Sequence, residues 1–473
     1  MTQSYFFYDL ETSGLDPKQS RIMQFAGQRT DLNLKLVGDP FNFLVKLAND
    51  SLPSPYAIMI TGITPQMTLS DGIVEAEFLK IFNEEIATAG TTFTGYNNVR
   101  FDDEFIRYAN YRNFYDPYEW HYKDGRKRWD LLDVIRMTRA LRPEGIHWPV
   151  DKDNSPTNKL TDITGANNIA HQNAHDAMAD VIALIEVAKL IKNKQPKLFS
   201  YLDNNMSDKN ATTALLSSNQ PLVYTSGGYF AHPNKTTAVC LLAELDDGGV
   251  LVYDLRQDPT HFSSLSVEEI KSIIDHENEG DINPILGIKP NKCPALAPLS
   301  VLDVLSEINI DLTKTTINKH FAEFKKCSQQ LKAKVLEIYK QLYAARNFVS
   351  DSVDGELYDG FFDRSDSAKL VTIRDTKPQL LATDEHIFKD QRLNKLILLY
   401  KARNYSKYLN PEETVAYEQY RQKLLFDGGV NSQLNKFAVE LSNLDTNKKL
   451  TSNQKYLLEE LKLYAESIVP SDI

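Results

Sequence analysis

Residues 6–14 read FFYDLETSG, and this stretch sets the fold class. An aromatic run leads into Asp9 and Glu11, and the turn-rich Ser-Gly-Leu-Asp-Pro follows over 13–17. Alternate side chains of a strand point to opposite sides, so Asp9 and Glu11, two apart, project from one face. Two carboxylates side by side repel each other unless a cation lies between them, and hard divalent ions such as Mg²⁺ take oxygen ligands of this kind. A polar strand end would carry the same letters, so the pattern needs support from elsewhere in the chain. Around it, strands are expected over 5–11, 21–29 and 91–96. Helical apolar spacing covers 130–139 and 177–191, and Thr64-Pro65 is a helix start. This alternation predicts an α/β domain with a central sheet.

Two further segments supply the support. NNVRFDDEF, at 97–105, puts Asp102 near a helix N-terminus, where a capping role competes with a catalytic one. NAHDAMADV, at 173–181, sets His175 and Asp180 five apart at the start of an amphipathic helix. They share a face only if His175 sits in the loop or first turn, and His171 is an unremarkable neighbour. In order the three segments spell Asp-x-Glu, then Asp, then His-x4-Asp, and on this set the chain is identified as a member of the DEDD exonuclease superfamily, histidine subclass. GYNNVRFDDE, YRNFYDPY, RWDLLDV, ALRPEGI, NAHDAMAD, ELYDGFF and YKARN resemble the bacterial exonuclease I family in particular. These segments run from the first region to the last, so the resemblance covers essentially the whole chain.

What the resemblance implies is an α/β RNase H-like exonuclease domain (1–192), an SH3-like β-barrel domain (196–349) and an all-α C-terminal domain (352–473), together forming a positively charged C-shaped channel. The residues agree in outline. A polar stretch over 193–219 follows the first region. Strands are then expected over 222–225, 236–245 and 250–255, with Asp246-Asp247-Gly248-Gly249 as a hairpin turn. Helical stretches follow over 301–308 and 317–344, and the chain reads as helical from 351 onward.

The same resemblance implies 3′→5′ hydrolysis of single-stranded DNA to 5′-mononucleotides, in DNA repair and recombination. Two Mg²⁺ ions roughly 4 Å apart, replaceable by Mn²⁺, would activate water and neutralise the leaving oxygen. Asp9, Glu11 and Asp180 would be the metal ligands, with Asp102 acting partly through metal-bound waters. His175 would be the general base, since an imidazole pKa near ~6.5 suits proton removal near neutrality. The alternative for His175 is orientation of the scissile phosphate.

Between 107 and 142 cations and rings interleave, as in single-strand binders that pair a basic groove with stacking platforms. Roughly half of the rings are expected in the core. Arg107, Tyr118, Tyr122 and Arg136 are the DNA contacts the family match implies, with Glu11 and Lys159 at substrate-binding positions. Lys159 stands where the family carries Arg, which keeps the charge and loses the bidentate fork. Gly62, in ITGIT, reads as a turn glycine before the Pro65 helix. The family also binds the acidic C-terminal tail of the single-stranded DNA-binding protein. Arg142 is the candidate for the rim of that receptor, or else the cap of the helix ending near residue 141.

Composition bounds these readings. At 473 residues the chain is too long for one ordinary core. Its apolar runs are too short for a membrane span, and its start lacks the basic segment of a secretory signal. The three cysteines, Cys240, Cys293 and Cys327, form no CxxC pair, which suits the reducing cytoplasm and argues against a zinc site. A net charge of −11 weighs mildly against nucleic-acid binding, but a cleft can be basic inside an acidic surface. An RNA exonuclease or proofreading subunit would use the same carboxylates, but such relatives are usually short single domains. A binding scaffold that has lost catalysis would not keep all five residues. The family suggests a monomer.

Overall fold

The computed structural model describes residues 3–171, 176–229, 234–275, 283–304, 312–345, 350, 352–383, 387–446 and 449–469. The first sheet contains β1 (Ser4–Thr12), β2 (Ile22–Thr30), β3 (Phe41–Leu44), β4 (Thr91–Gly95) and β5 (Lys127–Asp130), in the order β3-β2-β1-β4-β5. β1 to β3 form an antiparallel meander, and β4 and β5 run parallel to β1. β1 is the central strand and is packed on both faces. Phe6, Tyr8 and Leu10 enter one apolar cluster, while Tyr5 and Phe7 enter another. Gly27 of β2 faces Tyr8, and a Cβ there would lie 2.4 Å from the Phe6 ring. The glycine is what lets that ring lie across the sheet.

Helices α1 (Asp102–Arg112) and α2 (Leu131–Leu141) follow β4 and β5; α3 (Leu160–Ala166) and α4 (Ala177–Lys194) come next. The side chain of Asp176 caps α4 by accepting from the Met178 and Ala179 amides, both at 3.0 Å. α4 lies along β1 and β2 and buries Val181, Leu184, Ile185, Ala188 and Ile191. The Thr64 side chain accepts from the Met67 amide at the helix start expected there.

The stretch over 193–219 is not a polar connector. It holds α5 (Pro196–Met206) and α6 (Lys209–Leu216). Leu198, Phe199, Leu202 and Met206 form a narrow buried stripe, with Phe199 edge-on to Trp129 at 5.0 Å. Polar residues outnumber the stripe, which masks its period.

The second sheet is fully antiparallel, with β6 (Leu222–Thr225), β7 (Thr236–Glu244), β8 (Val250–Asp254), β9 (Ile285–Ile288) and β10 (Ala295–Pro298) in the order β10-β6-β7-β8-β9. The β7–β8 turn falls where the sequence places it, with Gly248 at φ +76° and the Leu245 amide donating to Gly249 at 2.9 Å. The 32-residue α7 (Lys314–Ala345) packs across β7. Of the helix expected over 301–308, residues 299–304 form a 3-10 turn and 305–308 lie outside the described residues. α8 (Arg364–Asp375), α9 (Gln391–Tyr405), α10 (Pro411–Phe426), α11 (Gln433–Asp445) and α12 (Ser452–Ile468) make up the helical remainder.

The helical region docks on the first sheet through apolar contacts and a buried charge network. Met23, Ile58 and Ile63 pack with Phe437, Leu457 and Leu461, and Tyr108 and Tyr111 of α1 pack with Leu357 and Leu393. Arg403 donates to Asp354 at 2.8 and 2.6 Å and to Asp50 at 2.8 Å, and Arg21 donates to Asp354 at 2.9 Å. All four side chains are at most 7% exposed, so each charge depends on the others. Arg21 also closes the turn leaving β1, through the Ser13 amide donating to its carbonyl at 2.9 Å and its own amide donating to Ser13 Oγ at 2.8 Å. Among the described residues no helix is long and apolar enough to cross a membrane.

Candidate active site

Asp9 and Glu11 stand at the C-terminal end of β1, largely but not wholly buried, while Tyr8, Leu10 and Thr12 between and beside them are buried. Just beyond, the β1–β2 register shifts between Glu11 and Thr12 and the chain turns away. Asp180, in the first turn of α4, reaches the same point. One carboxylate oxygen from each of Asp9, Glu11 and Asp180 lies within 4.8 Å of the others. Asp102 is the first residue of α1 and is buried; the N-cap position itself is Phe101, whose side chain makes no capping bond. Its neighbour Asp103 faces a different way. It accepts from Arg128 at 2.6 Å and from the Tyr8 hydroxyl, tying β1 to α1 from inside.

Burial, then the charges of Asp102, Glu11 and Asp180, hold the Asp9 carboxyl well above its ordinary range. Glu11 is pushed up to about 8 by burial and then by Asp180 and Asp102. Asp102 is also pushed up to about 8, by burial and then by Asp103. The Leu10 amide works against these shifts at both Asp9 and Asp102. Among the described residues no ion pair neutralises Asp9, Glu11 or Asp102. Like charges held together in a low-dielectric place, with oxygen donors only, fit a hard divalent cation.

His175 lies outside the described residues. The histidine seen at the cluster is His171, whose Nε2 meets the Asp180 carboxylate and whose Nδ1 is 3.1 Å from Thr164 Oγ1. Nothing in its spacing marks it out, because the contact joins residues nine apart that do not share one element.

Of the rings between 107 and 142, Tyr108, Tyr111, Phe114, Trp120 and Trp129 are core. Tyr118 is half-buried and Tyr122 is 58% exposed. Arg107 is buried, pairs with Glu104 at 2.6 Å and lies over the Tyr118 ring at 5.5 Å. Arg136 pairs with Asp133 at 2.7 Å and abuts Gly227, where a Cβ would come within 3.0 Å of its guanidinium. Lys159 is exposed at the N-cap of α3. The Arg142 amide caps α2 through the Thr138 carbonyl at 2.7 Å, and its half-exposed guanidinium donates to the Val301 carbonyl at 3.0 Å. Gly62 takes φ +72° where the helix Pro55–Thr61 ends, as a turn glycine does.

Sequence reasoning missed Glu104. Its carboxylate accepts from Arg107, from Lys292 at 2.6 Å and from the Tyr358 hydroxyl at 2.5 Å. One side chain thus gathers contacts from all three regions of the chain. The partners lie 188 and 254 residues away, and no local pattern announces them.

Family models match three successive stretches: an exonuclease model over 6–188, an exonuclease I SH3-like domain over 207–341 and an exonuclease I C-terminal domain over 351–468. The sequence is 37% identical to Exodeoxyribonuclease I of Haemophilus influenzae over 474 residues, covering 97% of this chain and 98% of the relative. The fold resembles E. coli exonuclease I in complex with a dA16 oligonucleotide, with a TM-score of 0.91 at 36% identity over 99% of this chain and 100% of that one. It resembles exonuclease I from Methylocaldum szegediense with a TM-score of 0.89 at 37% identity, again over 99% and 100%.

Proposed function

The chain belongs to the exonuclease I family, and from that premise we propose how its own residues carry out 3′→5′ hydrolysis of single-stranded DNA. The observation that carries the reading is the meeting of Asp9, Glu11 and Asp180 at the end of β1, with Asp102 buried behind them. Activity depends on a divalent metal, and an E. coli exonuclease I–ssDNA complex has been solved with zinc. We take the working ion to be Mg²⁺, two per site, with Mn²⁺ accepted in its place. Asp9, Glu11 and Asp180 would hold the ions, and Asp102 would act through their waters. Bound there, divalent ions lower the pKa of a water and neutralise charge on the leaving oxygen.

The protein's part is to hold the carboxylates still and manage one proton. Arg128, Asp103 and Tyr8 fix β1 against α1. His175 takes the proton of the attacking water, as an imidazole titrating near ~6.5 can. With the 3′ nucleotide seated beside Glu11, the last phosphodiester is cleaved and a 5′-mononucleotide leaves. Arg107, Tyr118, Tyr122, Arg136 and Lys159 grip the strand behind it. The proposed domain limits stay at 1–192, 196–349 and 352–473. The proposed setting is a cytoplasmic monomer in repair and recombination, recruited by the C-terminal tail of single-stranded DNA-binding protein at Arg142. A solved SSB/exonuclease I structure of a relative supports that partner.

The test is degradation of 3′- and 5′-labelled single-stranded DNA, duplex DNA and RNA, with Mg²⁺ and with EDTA. Immediate release of the 3′ label as mononucleotide, from single-stranded DNA alone and only with metal, is expected. First release from the 5′ end, a preference for RNA or cleavage in EDTA would overturn the reading.

A further inference from the structure

We infer that His171 is a positioning residue for the metal site, holding the Asp180 carboxylate by one oxygen so that the other is presented to the ion. The inference rests on the assignment of Asp180 as a metal ligand. His171 Nε2 is in hydrogen-bond contact with Asp180 Oδ1, and its Nδ1 is 3.1 Å from Thr164 Oγ1. The His171 side chain is 4% exposed and that of Asp180 is 22% exposed. The ring is therefore fixed inside the protein, while the carboxylate keeps part of its surface open and offers an oxygen within 4.8 Å of those of Asp9 and Glu11.

Thr164 lies on α3, with its hydroxyl also 3.0 and 2.9 Å from the carbonyls of Leu160 and Thr161. The sequence of contacts Thr164–His171–Asp180 fastens the first turn of α4 to α3 at the level of the cluster. A terminal carboxylate rotates in a broad, roughly two-fold well and presents its oxygens indifferently; a donor on one oxygen fixes the plane. Groups of this kind beyond the ligands typically govern metal affinity by 10–100-fold. Nε2 faces the Asp180 carboxylate and Nδ1 faces the Thr164 hydroxyl oxygen, so both ring nitrogens are engaged within the protein. With both nitrogens engaged, the ring has none turned to an attacking water, which separates His171 from the base role proposed for His175.

The test measures binding of Mn²⁺ alone, without DNA, by calorimetry and by the electron paramagnetic resonance of free Mn²⁺. The intact chain is compared with His171→Leu, His171→Gln, Thr164→Val and Asp180→Asn, each confirmed folded by circular dichroism in EDTA. His171→Leu should weaken Mn²⁺ binding by about 10–100-fold. His171→Gln, whose amide N–H can replace Nε2–H, should restore most of it. Thr164→Val should fall between parent and Leu. The pH–rate profile of the Gln variant at saturating metal should keep the parent's acidic limb. Parental Mn²⁺ affinity in His171→Leu, or failure of Gln to rescue, overturns the positioning role; loss of the acidic limb makes His171 the base instead. If Asp180→Asn binds Mn²⁺ as tightly as the parent, it is the ligand assignment beneath the inference that fails.

Discussion

The carboxyls of Glu11 and Asp102 are each pushed up to about 8, mainly by burial, with Asp180 the next cause for Glu11 and Asp103 for Asp102. A group whose pKa is higher in the folded chain than in the unfolded one holds extra protons when folded. Its stabilising contribution is complete below the unfolded value, roughly 4 to 4.5, and is lost as pH rises through about 8. The depressed carboxylates Asp354 and Glu75, held down by Arg403 and Arg112 against burial, act in the opposite sense and below that window. The metal-free protein should therefore melt at falling temperature between about pH 5 and 8, and the gain on adding Mg²⁺ should grow over the same range. Thermal melts in EDTA and in Mg²⁺ at both ends of the range test this; an equal Mg²⁺ gain at each would contradict it. At the same scale, Asp180→Ala should abolish hydrolysis and leave single-strand binding nearly intact, because the strand is gripped elsewhere. Turnover within about tenfold of the parent would remove Asp180 from the machinery.

Among the elements, β1 and its neighbour β2 carry the most constraint. Gly27→Ala forces the Phe6 ring out of its place, since the new Cβ would sit 2.4 Å from it. Overpacking of this kind should cost about 1–3 kcal/mol, readable as a lower urea midpoint at unchanged slope. Elements with a clean period were legible in the sequence: β1, β2, β4, α4, α7 and the β7–β8 hairpin. β5 escaped because four residues leading straight into α2 are too few to show alternation, and α5 escaped because its stripe is thin among polar residues. Asp9, Glu11 and Asp180 were legible as a set because strand geometry and a helix start aim them alike. The contacts of His171 and Glu104 were not, because they join residues outside any one periodic element, which periodicity does not encode.

For the molecule as a whole, the charge network around Asp354 joins the helical region to the first sheet. Asp354→Ala leaves Arg21 and Arg403 buried with too few partners, and removing one member of a buried pair usually costs about 3–5 kcal/mol. The expected result is a lower unfolding midpoint and faster proteolytic release of the region after residue 350. Parental stability would show that apolar contacts alone hold the dock. The net charge of −11 makes local charge decisive for the strand. The binding constant for single-stranded DNA should fall with salt by a slope of about −0.7 per phosphate contact, and Arg136→Ala should flatten it by about that amount. A salt-independent constant would refute the electrostatic grip.

Arg21 closes the turn beside Glu11, yet its partner Asp354 comes 333 residues later. A ribosome adding about 5–20 residues each second delivers that partner many seconds after β1 has emerged. Until then the Arg21 guanidinium stands in water with only the Gln19 and Ser20 carbonyls of its own turn, and the face of the first region that Phe437, Leu457 and Leu461 cover is open. Half-made chains, stalled or truncated before 354, are thus expected to be harmless to DNA. The nuclease would arm itself only near the end of translation, an interlock written into the order of the chain. Release of a ribosome-stalled chain should switch on mononucleotide production, and activity from chains halted at residue 350 would show that the interlock does not exist.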